Sequence, residues 1–220
     1  MILGLVGNTL QKKYKNSLNN MRSEKDKVLT PLNVSRISIY YTQDRSKSAI
    51  KQYSLKDNSL LIEGDVYKCK GTDNTPKAVW ELYEKQGNSF LDHLNGSFIL
   101  VLQDTENTQI VITADKMNTR PVFYCLEEDG FVFSSDLRLL ARLLQRTVSI
   151  DPLVLMKYIT FCYNPGSQTF FQGIQRLLPG HYLGWKQGTV TVQKYWSLSY
   201  RSQTTDNKER IGENIREKLT

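Results

Sequence analysis

The stretch Phe90–Asp136 reads FLDHLNGSFILVLQDTENTQIVITADKMNTRPVFYCLEEDGFVFSSD, and its reading decides the fold class. Three apolar runs lie inside it, Phe98–Leu102, Ile110–Thr113 and Val122–Leu126, and the shorter Phe131–Phe133 follows. Each is short, rich in β-branched and aromatic residues, and bounded by turn formers such as Asn95-Gly96, Asp104, Asn107 and Asp129-Gly130. Near-continuous apolar runs, in place of strict alternation, predict strands covered on both faces. The short connections predict an antiparallel meander in the middle of a buried sheet.

Outside this stretch the chain is 220 residues long, 40% hydrophobic and 23% charged, an ordinary globular composition with enough length for a sizeable core. No apolar run nears the ~20 residues that span a bilayer. The opening MILGLVG lacks the charged flank and cleavage site of a signal peptide. Cys69, Cys125 and Cys162 are few and odd in number, which argues against a disulfide framework. The expectation is a soluble, cytoplasmic protein with no membrane partner. The formal net charge of +7 owes much to Lys12–Lys27 and comes with no helix-turn-helix, zinc-finger or RNP-like signature. It reads as a polar surface loop, with no nucleic-acid partner.

Local signals place the other elements. Ile2–Gly7 is an apolar run at the first residues, and such a terminus is normally tied into a sheet. Residues 10–33 are polar and read as a loop or a marginal helix. Ser35–Ile39 and Ser59–Tyr67 read as strands. Thr75-Pro76 is a cap followed by proline at the first helical position, opening a helix to Gln86 that Gly87 ends. A short helix over Ser89–Leu94 follows. Ser134 or Ser135 caps a largely buried helix over Leu137–Leu144, and Asp151-Pro152 opens another to about Phe161. After a polar stretch from Arg201, Ile211, Ile215 and Leu219 share one face of a final amphipathic helix.

Several of these segments carry a family pattern. Gly96-Ser97-Phe98, Asp104, Asp115, Arg120-Pro121-Val122-Phe123-Tyr124 and Phe133-Ser134-Ser135-Asp136 resemble the N-terminal half of asparagine synthetases, which reads roughly NG-F-F…D, RD..G..PLYY and F.SE.K.L. Tyr163–Trp185 with Tyr195-Trp196 resembles the family's P…T.F.GI..L.PGH.L and the YW after it. The resemblance implies a class II glutamine amidotransferase-like domain with the Ntn-hydrolase fold. That fold is α+β, a four-layer αββα sandwich of two antiparallel sheets with flanking helices.

It also implies where a site would lie, and there this chain departs from the pattern. The family opens Met-Cys-Gly-Ile-x-Gly, and loss of the methionine leaves a cysteine whose α-amine, titrating near ~7.7–8, takes the thiol proton. Here the glycines align as Gly4 and Gly7, so the nucleophile position falls on Leu3. Glu63 stands where an asparagine would complete the oxyanion hole, and an ionised carboxylate has no donor to offer there. Gly64 keeps the family glycine, and Asp65 stands for the family glutamate. Arg36 matches the arginine of an RLSI strand that holds the glutamine α-carboxylate, and is equally well a strand-end surface arginine. Asp73 matches the aspartate of a GSD turn that grips the α-ammonium, although an acidic residue near a helix start is common for purely local reasons. Arg36, Gly64, Asp65 and Asp73 are therefore the vestigial substrate-binding candidates, with no catalytic residue and no metal ligand expected. His181 has no partner histidine nearby and reads as a packing residue.

The implied organisation is an amidotransferase-like domain over residues 1–200, then a linker and the start of an ATP-dependent synthetase domain over 201–220. The SGGLDS-type phosphate loop of that second domain is not in these residues. ATP and magnesium are implied for the synthetase domain and no cofactor for this chain. The implied partners are that domain, in cis or in trans, and a second copy of the chain. Branches of the family without the cysteine include β-lactam synthetases and lasso-peptide cyclases, which close an activated carboxylate with an amine already on the substrate. Three functions stay open on sequence: a glutaminase-dead scaffold of such a ligase, a stand-alone interaction module, or a glutamine-hydrolysing asparagine synthase with an atypical nucleophile.

Overall fold

Strand β1 (Ile2–Val6) is buried at every residue, and its side chains alternate between two different cores. Ile2 and Val6 face one core; Leu3 and Leu5 face the other. That period of two, with both faces apolar, puts β1 inside the molecule and between neighbouring strands. The computed structural model describes residues 1–7, 9–22, 29–34, 37–42, 50–69, 74–144, 149–200 and 207–219.

The first sheet contains β1, β2 (Leu29–Val34), β3 (Ile37–Thr42), β8 (Phe123–Glu127), β9 (Gly130–Ser134) and β10 (Gln175–Arg176), in the order β10-β8-β9-β1-β3-β2. The second contains β4 (Ile50–Leu55), β5 (Asn58–Cys69), β6 (Leu94–Asp104), β7 (Gln109–Ala114), β11 (His181–Lys186) and β12 (Thr189–Lys194), in the order β12-β11-β7-β6-β5-β4. Every pairing is antiparallel. Ile2, Val6, Ile39, Phe131 and Phe133 of the first sheet meet Leu61, Ile99, Val101, Ile112 and Trp185 of the second in one apolar layer. Gly4 belongs to this inner face: a Cβ there would lie 2.1 Å from the Phe133 ring, so the phenyl group occupies the space that a side chain would need.

Helices close both outer faces. Helix α3 (Pro76–Gln86) and a 3₁₀ helix over Gly87–His93 lay Val79, Trp80, Tyr83 and Phe90 on Leu60, Ile62, Leu100 and Leu102. Helices α1 (Leu10–Lys13), α2 (Lys15–Arg22) and α4 (Leu137–Leu144) lay Leu10, Leu18, Leu140 and Leu143 on Leu3, Leu5 and Val132. The four layers are thus helix, sheet, sheet, helix, as the resemblance implies. Helix α5 (Pro152–Phe161) and helix α6 (Lys208–Leu219) complete the elements. Thr75 and Asp151 cap α3 and α5 through side-chain acceptance of backbone N–H groups, each with proline next.

Two local expectations change, and the alternative left open over residues 10–33, loop or marginal helix, is decided for helix at 10–22. The Phe90–Asp136 stretch is no single meander: β6–β7 is a hairpin of the second sheet and β8–β9 a hairpin of the first. Residues 115–122 carry the chain from one sheet to the other, with Asn118 at φ 54° and Pro121 unable to donate to a ladder. Local periodicity cannot register such a change of sheet. Residues 10–22 form two helices and Leu29–Val34 a strand, because Leu10, Tyr14, Leu18 and Met21 recur at helical spacing and are buried beneath α4. Finally, Asp136 caps α4, taking the N–H groups of Arg138 and Leu139, while Ser134 Oγ is engaged with Ile2.

One buried carboxylate ties a hairpin turn to the helix layer. Asp104 Oδ2 accepts from Tyr83 Oη at 2.6 Å and from Asn107 Nδ2 at 2.7 Å, and Oδ1 accepts from Asn107 N–H at 3.0 Å. Burial alone raises the Asp104 pKa, but these hydrogen bonds outweigh it and hold the group below its ordinary value. Burial and the same carboxylate push the Tyr83 hydroxyl well up. A depressed folded-state value means that the stabilisation is complete above the unfolded carboxyl pKa near ~3.9, and is lost as pH falls through the folded value. Asp104→Asn should therefore cost about 1.5–3 kcal/mol at neutral pH. Measured by denaturant unfolding, its gap from the native chain should narrow as pH drops below ~4; a gap constant to pH ~2 would contradict the assignment.

Candidate functional site

The amino end of β1 and the middle of β5 meet between the two sheets. Ile2 is held on both sides of its peptide: its N–H donates to Ser135 Oγ at 2.9 Å, and its carbonyl accepts from Ser134 Oγ and from the Ser135 N–H, each at 2.9 Å. With the backbone so fixed, the Met1 side chain packs towards the helix-side core. Its α-ammonium lies 2.8 Å from Glu63 Oε1. Glu63 is 5% exposed, and its Oε2 has no hydrogen-bond partner.

Alternation along β5 explains why a carboxylate is there. Leu60 and Ile62 face the helices and Leu61 faces the opposite sheet, so Glu63 also faces the opposite sheet. Leu3 behaves differently. It is fully buried and faces the helix layer, on the other side of its strand from the inter-sheet layer. The two positions that the resemblance assigns to nucleophile and oxyanion hole thus sit on different faces, and the Met1 amine is the group that meets Glu63.

Gly64 follows at φ +105°, where a Cβ would lie 2.2 Å from the Ser97 carbonyl oxygen and 2.7 Å from Arg120 Nε. Only glycine combines that backbone angle with that approach. Arg120 Nε donates to the same carbonyl at 3.2 Å. Asp65 is exposed and paired with Lys51 Nζ at 2.8 Å, which holds its carboxyl below the ordinary value; Arg120 adds a smaller pull in the same direction. Beside them runs a short polar relay: Ser97 Oγ shares a hydrogen bond with Thr119 Oγ1 at 2.8 Å, and Thr119 Oγ1 donates to Asp115 Oδ2 at 2.6 Å. Asp115 also accepts the N–H groups of Met117 and Thr119, so it braces the 115–120 turn.

Of the sequence candidates, Glu63, Gly64 and Asp65 are brought together at this site, and Arg36 and Asp73 lie outside the described residues. The Met1 amine and Thr119 are not singled out in the sequence reading, and Ser97 and Arg120 enter it only as parts of family motifs and not as site residues. One signal existed for the first of these, since a carboxylate on the core face of LLIEG requires a cation. His181 Nδ1 is 2.9 Å from the Pro179 carbonyl, as a packing residue would be. Among the described residues, no group of three or more His, Cys, Asp or Glu side chains is placed to hold a metal ion, and no helix is long and apolar enough to cross a membrane. Cys125 is buried and Cys162 exposed, and neither is in a disulfide with another described residue.

Two face-to-face antiparallel sheets with helices outside, and the amino end of a central strand at the cleft, define an Ntn-hydrolase-type architecture. The chain aligns with glutamine phosphoribosylpyrophosphate (PRPP) amidotransferase from B. subtilis at a TM-score of 0.50 and 11% identity, covering 91% of this chain and 50% of that one, which is likeness of fold. Residues 52–196 match the family described as glutamine amidotransferase domain, and the chain belongs to that family. It is an asparagine synthetase-like member. It is 27% identical over 195 residues to the amidase chyE of Penicillium rubens, covering 86% of this chain and 28% of that protein. It is 23% identical over 154 residues to asparagine synthetase [glutamine-hydrolyzing] 3 of Bacillus subtilis, covering 69% of this chain and 25% of that protein. The chain thus spans about a quarter of the length of these two relatives.

The bracing of the turn that carries Arg120 can be measured directly. Thr119→Val keeps the shape, removes the donor to the buried Asp115 and breaks the link to Ser97. Thermal or urea unfolding should show a loss of about 1–3 kcal/mol. A change within ~0.5 kcal/mol, the range of an ordinary surface substitution, would show that the relay carries no weight.

Proposed function

We propose that this chain is a glutaminase-dead amidotransferase-like domain that serves as the scaffold of an asparagine synthetase-family, ATP-dependent amide-bond-forming ligase in the cytoplasm. The observation that carries this reading is Glu63: a buried carboxylate, engaged by an ammonium group, at the position that would have to donate hydrogen bonds to an oxyanion. An ionised carboxylate there repels the developing negative charge, so the transition state for amide hydrolysis is disfavoured. Leu3, aliphatic and turned to the helix layer, supports the same reading from the nucleophile's side. Family membership and relatives of several times this length support a role as one part of a larger enzyme. In this proposal residues 1–200 are the scaffold, and 201–220 lead to a synthetase domain in cis or in trans. ATP and magnesium belong to that domain, and no residue of this chain is assigned to them. The lasso-peptide cyclase and β-lactam synthetase branches, or an asparagine synthetase homologue supplied with free ammonia, accord with loss of glutamine hydrolysis. An active glutaminase would need another nucleophile beside Arg36 and Asp73.

A second observation favours an interaction role for the same domain. Helix α5 buries only Val154 and leaves Leu153, Met156, Ile159 and Phe161 more than half exposed, with Tyr163 beyond its end. Exposed apolar side chains gathered on one helix, with Lys157 the charged residue among them, are typical of a face that meets another protein surface, and the synthetase domain is the occupant that the proposal requires.

The chain should release no glutamate from glutamine. Leu3→Cys, alone or with Glu63→Asn, should not restore release, since residue 3 has neither a free α-amine nor an orientation into the cleft. Turnover by the native chain that Arg36→Ala or Asp73→Ala abolishes would overturn the reading. Replacing Met156 and Ile159 with serine should leave thermal stability within ~1 kcal/mol of native and reduce association with a separately supplied synthetase domain.

A further inference from the structure

We infer that the second sheet carries, at the end remote from Glu63, a binding site for a flat heteroaromatic ligand rich in N–H donors and without phosphate, of the size of a nucleoside. A cavity of about 330 Å³ opens there, beside the β4–β5 and β6–β7 turns, and its volume suits such a ligand. Gln103, in its wall, follows Ser97 along β6, and about 20 Å of strand separates the cavity from the Gly64–Arg120 cluster.

The floor of the cavity is a cross-strand row unlike the row beside it. On the inner face of the sheet Leu61, Val101, Ile112 and Leu183 stand side by side, all buried and apolar. The next row reads Ser59, Gln103, Ile110 and Trp185, and its last three members line the cavity. Alternation turns Gln103 the same way as Val101. It is 2% exposed, a setting in which a methionine of similar shape costs less than an amide. Polar side chains at core positions are expected where recognition outweighs stability.

Each lining group narrows the ligand. The Trp185 indole offers a flat apolar surface on which a ring can pack. A glutamine amide donates and accepts side by side, which suits a heteroaromatic edge with a ring nitrogen next to an exocyclic amine. Asp57, exposed at the β4–β5 turn, and Asp104 bring two carboxylates to the walls. Hydrogen bonds from Tyr83 and Asn107 keep Asp104 ionised. Carboxylates accept from N–H and O–H donors and repel a phosphate at close range. Thr108 adds a hydroxyl at the rim, within the chemistry that a ribose uses. Together these groups select a base or nucleoside over a nucleotide.

Isothermal titration calorimetry on the full chain tests the site, with adenosine, cytidine and adenosine 5′-monophosphate as probes and the native protein, Gln103→Met and Asp57→Asn as hosts. Adenosine or cytidine should bind saturably with a Kd below ~1 mM, and the monophosphate about tenfold more weakly than adenosine. Gln103→Met should weaken nucleoside binding about tenfold or more while its melting temperature holds or rises. Asp57→Asn should bring the monophosphate closer to adenosine in affinity. The inference is overturned by no saturable binding of either nucleoside, by a monophosphate that binds as tightly as adenosine, or by nucleoside binding that Gln103→Met leaves intact, since such binding lies elsewhere on the protein. A lower melting temperature for Gln103→Met with unchanged binding would make the glutamine a structural residue. Should Gln103→Met not fold, Asp57→Asn decides, and an unaltered preference for adenosine over its monophosphate overturns the inference. None of these readouts depends on glutamine turnover, so the inference and the glutaminase-dead reading fail separately.

Discussion

The structure depends on the double burial of β1. A strand with apolar residues on both faces must be covered on both, which requires a second sheet on one side and helices on the other. Ile2 and Val6 reach across to the second sheet, while Leu3 and Leu5 reach the helices. Gly4 lets the Phe133 ring close over the strand between them. Nothing in β1 points to solvent, so a group at its amino end is delivered either to the helix layer, as Leu3 is, or into the space between the sheets, as Ile2 is.

That constraint makes the terminus chemically informative. A catalytic member of the fold uses this delivery to place an amine next to a nucleophile and opposite hydrogen-bond donors. Here the same delivery places the amine on a carboxylate. Two charges in an apolar layer are tolerable when paired, and their pairing is weak evidence for overall stability but good evidence for a defined register. The turn that joins the sheets is polar and well connected, braced by Asp115, Thr119, Ser97 and Arg120.

The periphery has a different character. Helix α5 leaves its apolar side chains at the surface, whereas α3 and α4 bury theirs. Helices α3 and α4 fold back on a sheet, and α5 is left facing outward. Such segregation accords with the proposed scaffold role, in which the remaining apolar surface meets another domain.

Much of this was legible in the sequence. Cap-and-proline signals at Thr75-Pro76 and Asp151-Pro152 gave two helix starts, because capping is a local hydrogen-bonding problem with a local solution. Short apolar runs between turn formers located β6 to β9 for the same reason, and the Gly4 and Glu63 positions followed from matched motifs. The assignment of β6–β7 and β8–β9 to different sheets was not legible, since the change of sheet occurs at 115–122 through contacts distant in sequence. Nor was the burial of Leu10, Tyr14, Leu18 and Met21, whose helical spacing is diluted by lysine and asparagine. The sequence by itself determined which residue types stand at the positions of a catalytic centre, because that is a matter of identity and order. Only the tertiary structure decided that Leu3 faces away and that the Met1 amine meets Glu63, because strand alternation and sheet packing, and not sequence distance, bring charges together.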